Sequence, residues 1–127
     1  MLFARIVLLI QIAALLVLGL AYFIRPEEMA SFSGALLMGN AAVTEVRAYY
    51  GGLQLGLAAY LVMALLRLDL LRPALLLLVL LYSVLALARV GGLWLDGGAQ
   101  QTFNLYALLL EAVSAGLAWW ALRGLER

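Results

Sequence analysis

The chain has 127 residues, of which 68% are hydrophobic and only 12% are charged, and its mean hydropathy is +1.11. Because soluble domains carry about 25% charged residues, this composition excludes an ordinary water-soluble fold. The net charge of +1 argues against a nucleic-acid partner, since binding nucleic acid needs a basic face. The length predicts a single domain over residues 1–127.

The chain lacks both cysteine and histidine. This excludes disulfides, thiolate metal sites, iron–sulfur clusters and imidazole-ligated haem. It also excludes Ser-His-Asp and Cys-His catalysis. A metal ion would have to use carboxylates, and only seven residues are acidic. We therefore expect neither a metal site nor a cofactor.

Four segments have the roughly 20 apolar residues that a helix needs to cross the hydrocarbon core of a membrane. They cover residues 2–24, 44–66, 73–95 and 103–122. The first apolar run, from Ile6 to Ile24, is longer than the about 7–15 residues of a signal peptide core and ends in aromatic residues, so it predicts an uncleaved anchor. The sequence predicts an all-α fold, an integral membrane four-helix bundle.

The arginines are distributed unevenly between the two sides of these spans. Cytoplasmic segments of membrane proteins are enriched in basic residues. One side has Arg25, joined by Arg47 and Arg89 if these two count as loop residues. The side that holds both termini and the second connection has Arg5, Arg67, Arg72, Arg123 and Arg127. We therefore predict that both termini are cytoplasmic.

Small residues recur along the second and fourth spans. Ala48, Gly52 and Gly56 are spaced four residues apart, and Gly116 lies in the fourth span. Because lipid provides no hydrophobic force between helices, helices in a membrane associate where small residues allow a close approach. The pattern predicts helix packing at these residues, either within the chain or between two copies in a homodimer.

Charged residues also lie in or near the non-cytoplasmic half of the spans: Glu45, Arg47, Arg89, Asp96 and Glu111. At 1.5 Å per residue, Arg89 is about 9 Å below the outer end of the third span, and Glu111 is about 12 Å below the outer end of the fourth. A short connection makes these two spans antiparallel neighbours. We predict that Arg89 and Glu111 touch, with Glu45 or Asp96 nearby.

The second span is expected to direct Glu45, Tyr49 and Gly52 inward, because they share one helical face with Ala48. Arg47 is two positions from Glu45, about 200° around the helix. We therefore expect Arg47 to extend to the outer headgroups.

Charges inside a membrane span are costly and usually have a partner or a function. Here they could form an ionic cluster that fixes helix register, a polar pocket in which a carboxylate and a guanidinium bind or transform a ligand, or a proton-coupled transport path. Small drug exporters usually carry a lone glutamate in their first helix. The first span here has only Gln11, which weighs against transport.

Three stretches of the sequence, EVRAYYGGLQLGLA (45–58), ARVGGLWLDGG (88–98) and LLLEAVSAGLAW (108–119), resemble a family of bacterial membrane proteins called domain of unknown function 4345 (DUF4345). The resemblance extends to chain length, to four spans and to the order of the motifs E-x-R-A-x-Y-G-G, G/A-R…DG and LE. The doubled tyrosine in YYGG departs from the pattern. The matching positions are Glu45, Arg47, Tyr49, Gly51, Gly52, Gly56, Arg89, Asp96, Gly97 and Glu111. The resemblance implies a fold and no established activity.

We therefore expect a small protein of a bacterial inner membrane that binds a lipid or another apolar ligand, or that serves as an accessory subunit. Membrane lipids are the expected partners, and a homodimer, a larger membrane complex or an apolar small molecule are further candidates. The alternatives are a membrane-embedded enzyme and a small proton-coupled transporter. The enzyme would act on a lipid, a quinone or a terpenoid-like substrate, with Glu111 or Glu45 as acid/base and Arg89 stabilising an anion.

Overall fold

The computed structural model describes residues 2–96 and 102–125, and every regular element in these ranges is a helix. A π-helical segment, Arg47–Gly52, joins α3 to α4 without a break, and a 3₁₀ turn, Leu68–Leu70, precedes α5. The α-helices are α1 (Leu2–Ile24), α2 (Pro26–Ser31), α3 (Asn40–Val46), α4 (Leu53–Leu66), α5 (Leu71–Leu95) and α6 (Thr102–Leu125). The prediction of an all-α fold is confirmed.

Four helical stretches are long and apolar enough to cross a membrane: Leu2–Ile24, Asn40–Leu66, Leu68–Leu95 and Phe103–Leu125. They coincide with the four predicted spans. The second stretch begins at Asn40 rather than at residue 44, the third begins at Leu68 rather than at residue 73, and the fourth ends at Leu125 rather than at residue 122. These helices are those of a multi-pass membrane protein.

The described residues divide into two compact units. One unit, here called the hairpin unit, lies within residues 1–7 and 67–127 and contains α5 and α6. The other, the glycine unit, is Leu8–Leu66 and contains most of α1 together with α2, α3, the π-helical segment and α4.

In the hairpin unit, α5 and α6 pack along most of their length. The buried residues of α5 recur at helical spacing, and so do those of α6. They are Leu71, Ala74, Leu75 and Leu78 on α5 and Glu111, Ala118, Ala121 and Leu122 on α6. At the first residues of α1, the ring of Phe3 lies 5.6 Å from that of Trp120. Among the described residues of these two helices, the buried ones are therefore apolar except for Glu111.

In the glycine unit, the close approach of two helices depends on Gly19 and Gly51. A Cβ atom at Gly51 would lie 2.9 Å from the backbone nitrogen of Phe23, and one at Gly19 would lie 3.0 Å from a side-chain carbon of Leu55. No larger residue fits against a neighbouring backbone at such distances, so glycine lets α1 lie directly against the π-helical segment.

Within the glycine unit, the close approach does not use the predicted packing stripe. Ala48, Gly52 and Gly56 are exposed, and a Cβ at Gly56 would have no neighbour within 4 Å. The packed face carries Gly51 and the buried Ala58 instead. It is displaced by one residue, or about 100° around an α-helix.

The prediction that Gly116 packs against another helix has no supporting contact within the described residues. Gly116 is exposed, and a Cβ there would have no neighbour within 4 Å. Ala118, two positions away, is buried. Because two residues correspond to about 200° around an α-helix, Gly116 lies on nearly the opposite face of α6.

Candidate functional site

The central polar contact of the hairpin unit joins Arg89 of α5 to Glu111 of α6. The Arg89 Nε donates a hydrogen bond to the Glu111 Oε1 at 2.6 Å. The glutamate side chain is 10% exposed and the arginine side chain 28% exposed. A charge-assisted bond of this length between largely buried groups is among the stronger polar contacts in proteins. The predicted contact between these two residues is confirmed.

Asn104 is a second hydrogen-bond partner of Arg89. The Arg89 Nη1 donates to the Asn104 Oδ1 at 2.7 Å. Asn104 and Glu111 are seven residues apart, two turns along one face of α6, so both can reach the same guanidinium. The α6 face that carries Asn104 and Glu111 also carries Ala107, Ser114 and Ala118, and these residues are buried or half-buried.

Asp96 lies apart from this pair. It follows the last residue of α5, where its backbone N–H donates to the Gly92 carbonyl at 2.8 Å, and its side chain is exposed. Its neighbour Gly97, which belongs to the same motif, lies outside the described residues. The prediction that Asp96 joins the buried charges has no supporting contact within the described part of the chain.

A second polar region lies in the glycine unit, at the π-helical segment. The Leu53 N–H donates to the Ala48 carbonyl five residues earlier, which is the π-helical pattern. The Gln54 side chain donates to the Tyr50 carbonyl at 2.6 Å, so it supports the backbone within the widened turn. π-Helical turns inside α-helices are rare and occur frequently at functional sites. This segment coincides with the RAYYGG part of the first motif.

Arg47 does not extend outward as predicted. It is half-buried, and its guanidinium carbon lies 5.8 Å from the centre of the Phe23 ring, within the range of a cation–π contact. Its Nε is buried without a hydrogen-bond partner. The contact with Phe23 therefore holds the side chain against the protein instead of leaving it free to extend away from it.

Glu45 and Tyr49 were expected to point inward, but both side chains are exposed. They line a surface groove of about 630 Å³ together with Tyr50. The Tyr50 ring stacks on that of Tyr22 at 5.2 Å, which fixes one side of the groove. The remaining lining is aliphatic and consists of Leu37, Ala42, Val46 and Leu53. Glu45 is thus the one charged residue among those that line the groove.

The groove follows from helical spacing and from the loop that precedes α3. Ala42, Glu45, Tyr49 and Leu53 recur at intervals of three and four residues, so they share a face. Leu37, in the preceding loop, closes that face from the other side. Glu45 and Tyr49 were predicted as site residues but were expected to point inward, and neither Leu37 nor Tyr50 was predicted. The doubled tyrosine was the available signal for Tyr50, since it puts a second ring beside the first.

The model of the family described as Domain of unknown function (DUF4345) matches residues 3–122, which is nearly the whole chain and includes both polar regions. No curated protein and no solved structure matches the chain.

Proposed function

The chain belongs to the DUF4345 family, and we propose that it is a non-catalytic membrane protein that binds an apolar molecule in the groove of its glycine unit. The observation that carries the proposal is the groove itself. It combines four aliphatic residues and two tyrosines with one carboxylate, that of Glu45. Apolar walls with few polar groups are typical of small-molecule sites.

The groove lies where the backbone departs from a regular helix. The residues of its lining fall on both sides of the junction between α3 and the π-helical segment. Tyr49 and Tyr50 would be about 100° apart in an α-helix, yet both line the groove. The irregular turn therefore supports a binding role for this motif.

The Arg89–Glu111 pair supports a structural role instead. Each charged group already binds the other at 2.6 Å, and Asn104 occupies a second donor of the guanidinium. A ligand or a proton relay there would have to break a short, largely buried charge pair. We therefore propose that the pair holds α5 against α6 and that the ligand binds at Glu45.

We further propose a location in a bacterial inner membrane with both termini cytoplasmic. The support is the arginine distribution, in which Arg5, Arg67, Arg72 and Arg123 lie on the side of the N-terminus. Fusions of a cytoplasmic and a periplasmic reporter to the C-terminus test the orientation. Cytoplasmic-reporter activity alone is expected, and periplasmic-reporter activity would reverse the orientation.

The binding proposal is tested by filling the groove. Ala42→Trp places a large ring among the lining residues, whereas Ala48→Trp places the same ring on the same helical run outside the lining. Native mass spectrometry of the gently extracted protein should find an apolar molecule retained by the wild type and by Ala48→Trp, and lost from Ala42→Trp. Equal retention by all three proteins would refute binding in this groove.

A further inference from the structure

We infer that the ligand of this groove carries a single positive charge on an apolar body. This inference rests on the proposed function, because it names the chemical class of the molecule that the groove binds. The lining contains one ionisable acid, Glu45, and no basic residue. A net negative lining attracts a cation and repels an anion.

The aromatic residues strengthen the preference for a cation. Tyr49 is 67% exposed and Tyr50 is 53% exposed, so a ligand can reach both rings. An aromatic face attracts a cation that lies over it, and aromatic side chains are a recurring means by which proteins bind quaternary ammonium groups. The stack of Tyr50 on Tyr22 holds one of these rings in place before the ligand binds.

The two basic residues nearest to Glu45 in sequence, Arg47 and Arg25, do not line the groove. Arg47 is two positions from Glu45 and lies over Phe23 rather than in the groove lining. Arg25 binds Glu28 at 3.2 Å, which occupies it with its own partner. A zwitterionic phospholipid would therefore bring a phosphate that no lining residue neutralises. The groove fits a lipophilic monocation dissolved in the membrane better than it fits a phospholipid headgroup.

The test uses two probes of the same size and shape and of opposite charge, tetraphenylphosphonium and tetraphenylborate. Binding to the purified protein in neutral detergent micelles is measured by equilibrium dialysis, and binding that Ala42→Trp removes is taken as groove binding. The wild type should bind the cation at least about tenfold more tightly than the anion. Glu45→Gln should weaken cation binding about five- to tenfold, and Tyr49→Leu about two- to fivefold.

Glu27→Gln is the matched control, because Glu27 is also an exposed acid of the glycine unit but lies outside the groove lining. It should leave cation binding unchanged. Equal groove binding of both probes, or an unchanged affinity in Glu45→Gln, would overturn the inference while leaving the proposed function intact. Displacement of the cation by phosphatidylethanolamine would assign the groove to a phospholipid and would also overturn it. If Ala42→Trp removes no binding of either probe, the proposed function itself fails.

Discussion

The Nε of Arg89 lies 2.6 Å from the Oε1 of Glu111, and this contact links two helices across 22 positions of the sequence. Neither group is left alone in an apolar environment, because each is the main partner of the other. The arginine makes its second bond to Asn104. Helix register in the hairpin unit is thus tied to one polar cluster as well as to apolar packing.

The first prediction concerns the loss of one member of this pair. Arg89→Gln and Glu111→Gln should each lower the free energy of unfolding by about 3 kcal/mol, the lower end of the range for buried pairs, because the surviving charge loses its partner. The double variant should lose clearly less than the sum of the two. Unfolding in mixed micelles with increasing dodecyl sulfate measures all three variants. Strictly additive losses would show that the two side chains do not interact in the membrane protein.

The Arg25–Glu28 pair provides the control for that experiment. Both of its side chains are 68% exposed, at an N–O distance of 3.2 Å. Exposed ion pairs are worth about 0–1 kcal/mol, so Arg25→Gln and Glu28→Gln should have small effects and little coupling. A coupling as large as that of Arg89 and Glu111 would indicate a long-range charge effect rather than a buried contact.

Asn104 gives a second prediction on the same cluster. Asn104→Ala should lower the free energy of unfolding by about 1.5 kcal/mol, since it removes a hydrogen bond to a charged group. The same substitution in an Arg89→Gln background should lower the free energy of unfolding much less, because the guanidinium that donates to Asn104 is absent. Comparing the two backgrounds by the same unfolding assay checks the bond, and an equal loss in both would assign Asn104 a role independent of Arg89.

The Arg89–Glu111 contact could be predicted because it depends on span lengths and positions that can be read from the sequence. The length of each apolar run defines the span, the rise per residue gives the depth of each charge, and a short connection forces neighbouring spans to be antiparallel. Asn104 lies seven residues before Glu111 and shares its α6 face, but its bond to Arg89 was not predicted. The functional role of these residues stays a prediction.

The glycine unit was less predictable because its packing depends on a backbone irregularity. Gly51 and Gly52 are adjacent and chemically identical, so the sequence offers no difference between them except their spacing to other small residues. That spacing favoured Gly52, whereas the structure packs Gly51 against Phe23. The π-helical turn adds a residue to the helix, and periodicity arguments assume that no such residue exists. Glu45, Arg47 and Tyr49 therefore lie on other faces than expected.

The glycines give the third prediction. Gly51→Ala should lower the free energy of unfolding by about 1–3 kcal/mol, because its methyl group would overlap the Phe23 backbone, which cannot rotate away. Gly52→Ala and Gly56→Ala are matched controls: a Cβ would lie no closer than 4.0 Å to any atom at Gly52 and would have no neighbour within 4 Å at Gly56. Both should be neutral or slightly stabilising, since alanine favours the helix. Loss of stability at Gly56 alone would indicate a contact with another copy of the chain.

The fourth prediction concerns Arg47, where two opposing effects can be compared. Its cation–π contact with Phe23 contributes about 0.5–1 kcal/mol, because the side chain is only half-buried. Its buried Nε has no hydrogen-bond partner, and an unsatisfied buried donor costs about 1–3 kcal/mol. Arg47→Met keeps the apolar stem over the ring and removes the unsatisfied donor. It should therefore leave the free energy of unfolding unchanged or raise it by about 1 kcal/mol.

Arg123→Met is the control for Arg47→Met, because the Arg123 guanidinium also lies over a ring, that of Trp119, at 5.6 Å. Arg123 is exposed and does not have a buried unsatisfied Nε. Its replacement should therefore lose only the cation–π contribution and lower stability slightly, so the two variants should change the free energy of unfolding in different directions. A loss above about 1 kcal/mol in Arg47→Met would mean that its cation–π contact exceeds the usual range. A higher free energy of unfolding in Arg47→Met would mean that Arg47 does not stabilise the fold. Arg47 should then be tested for an effect on ligand binding in the neighbouring groove.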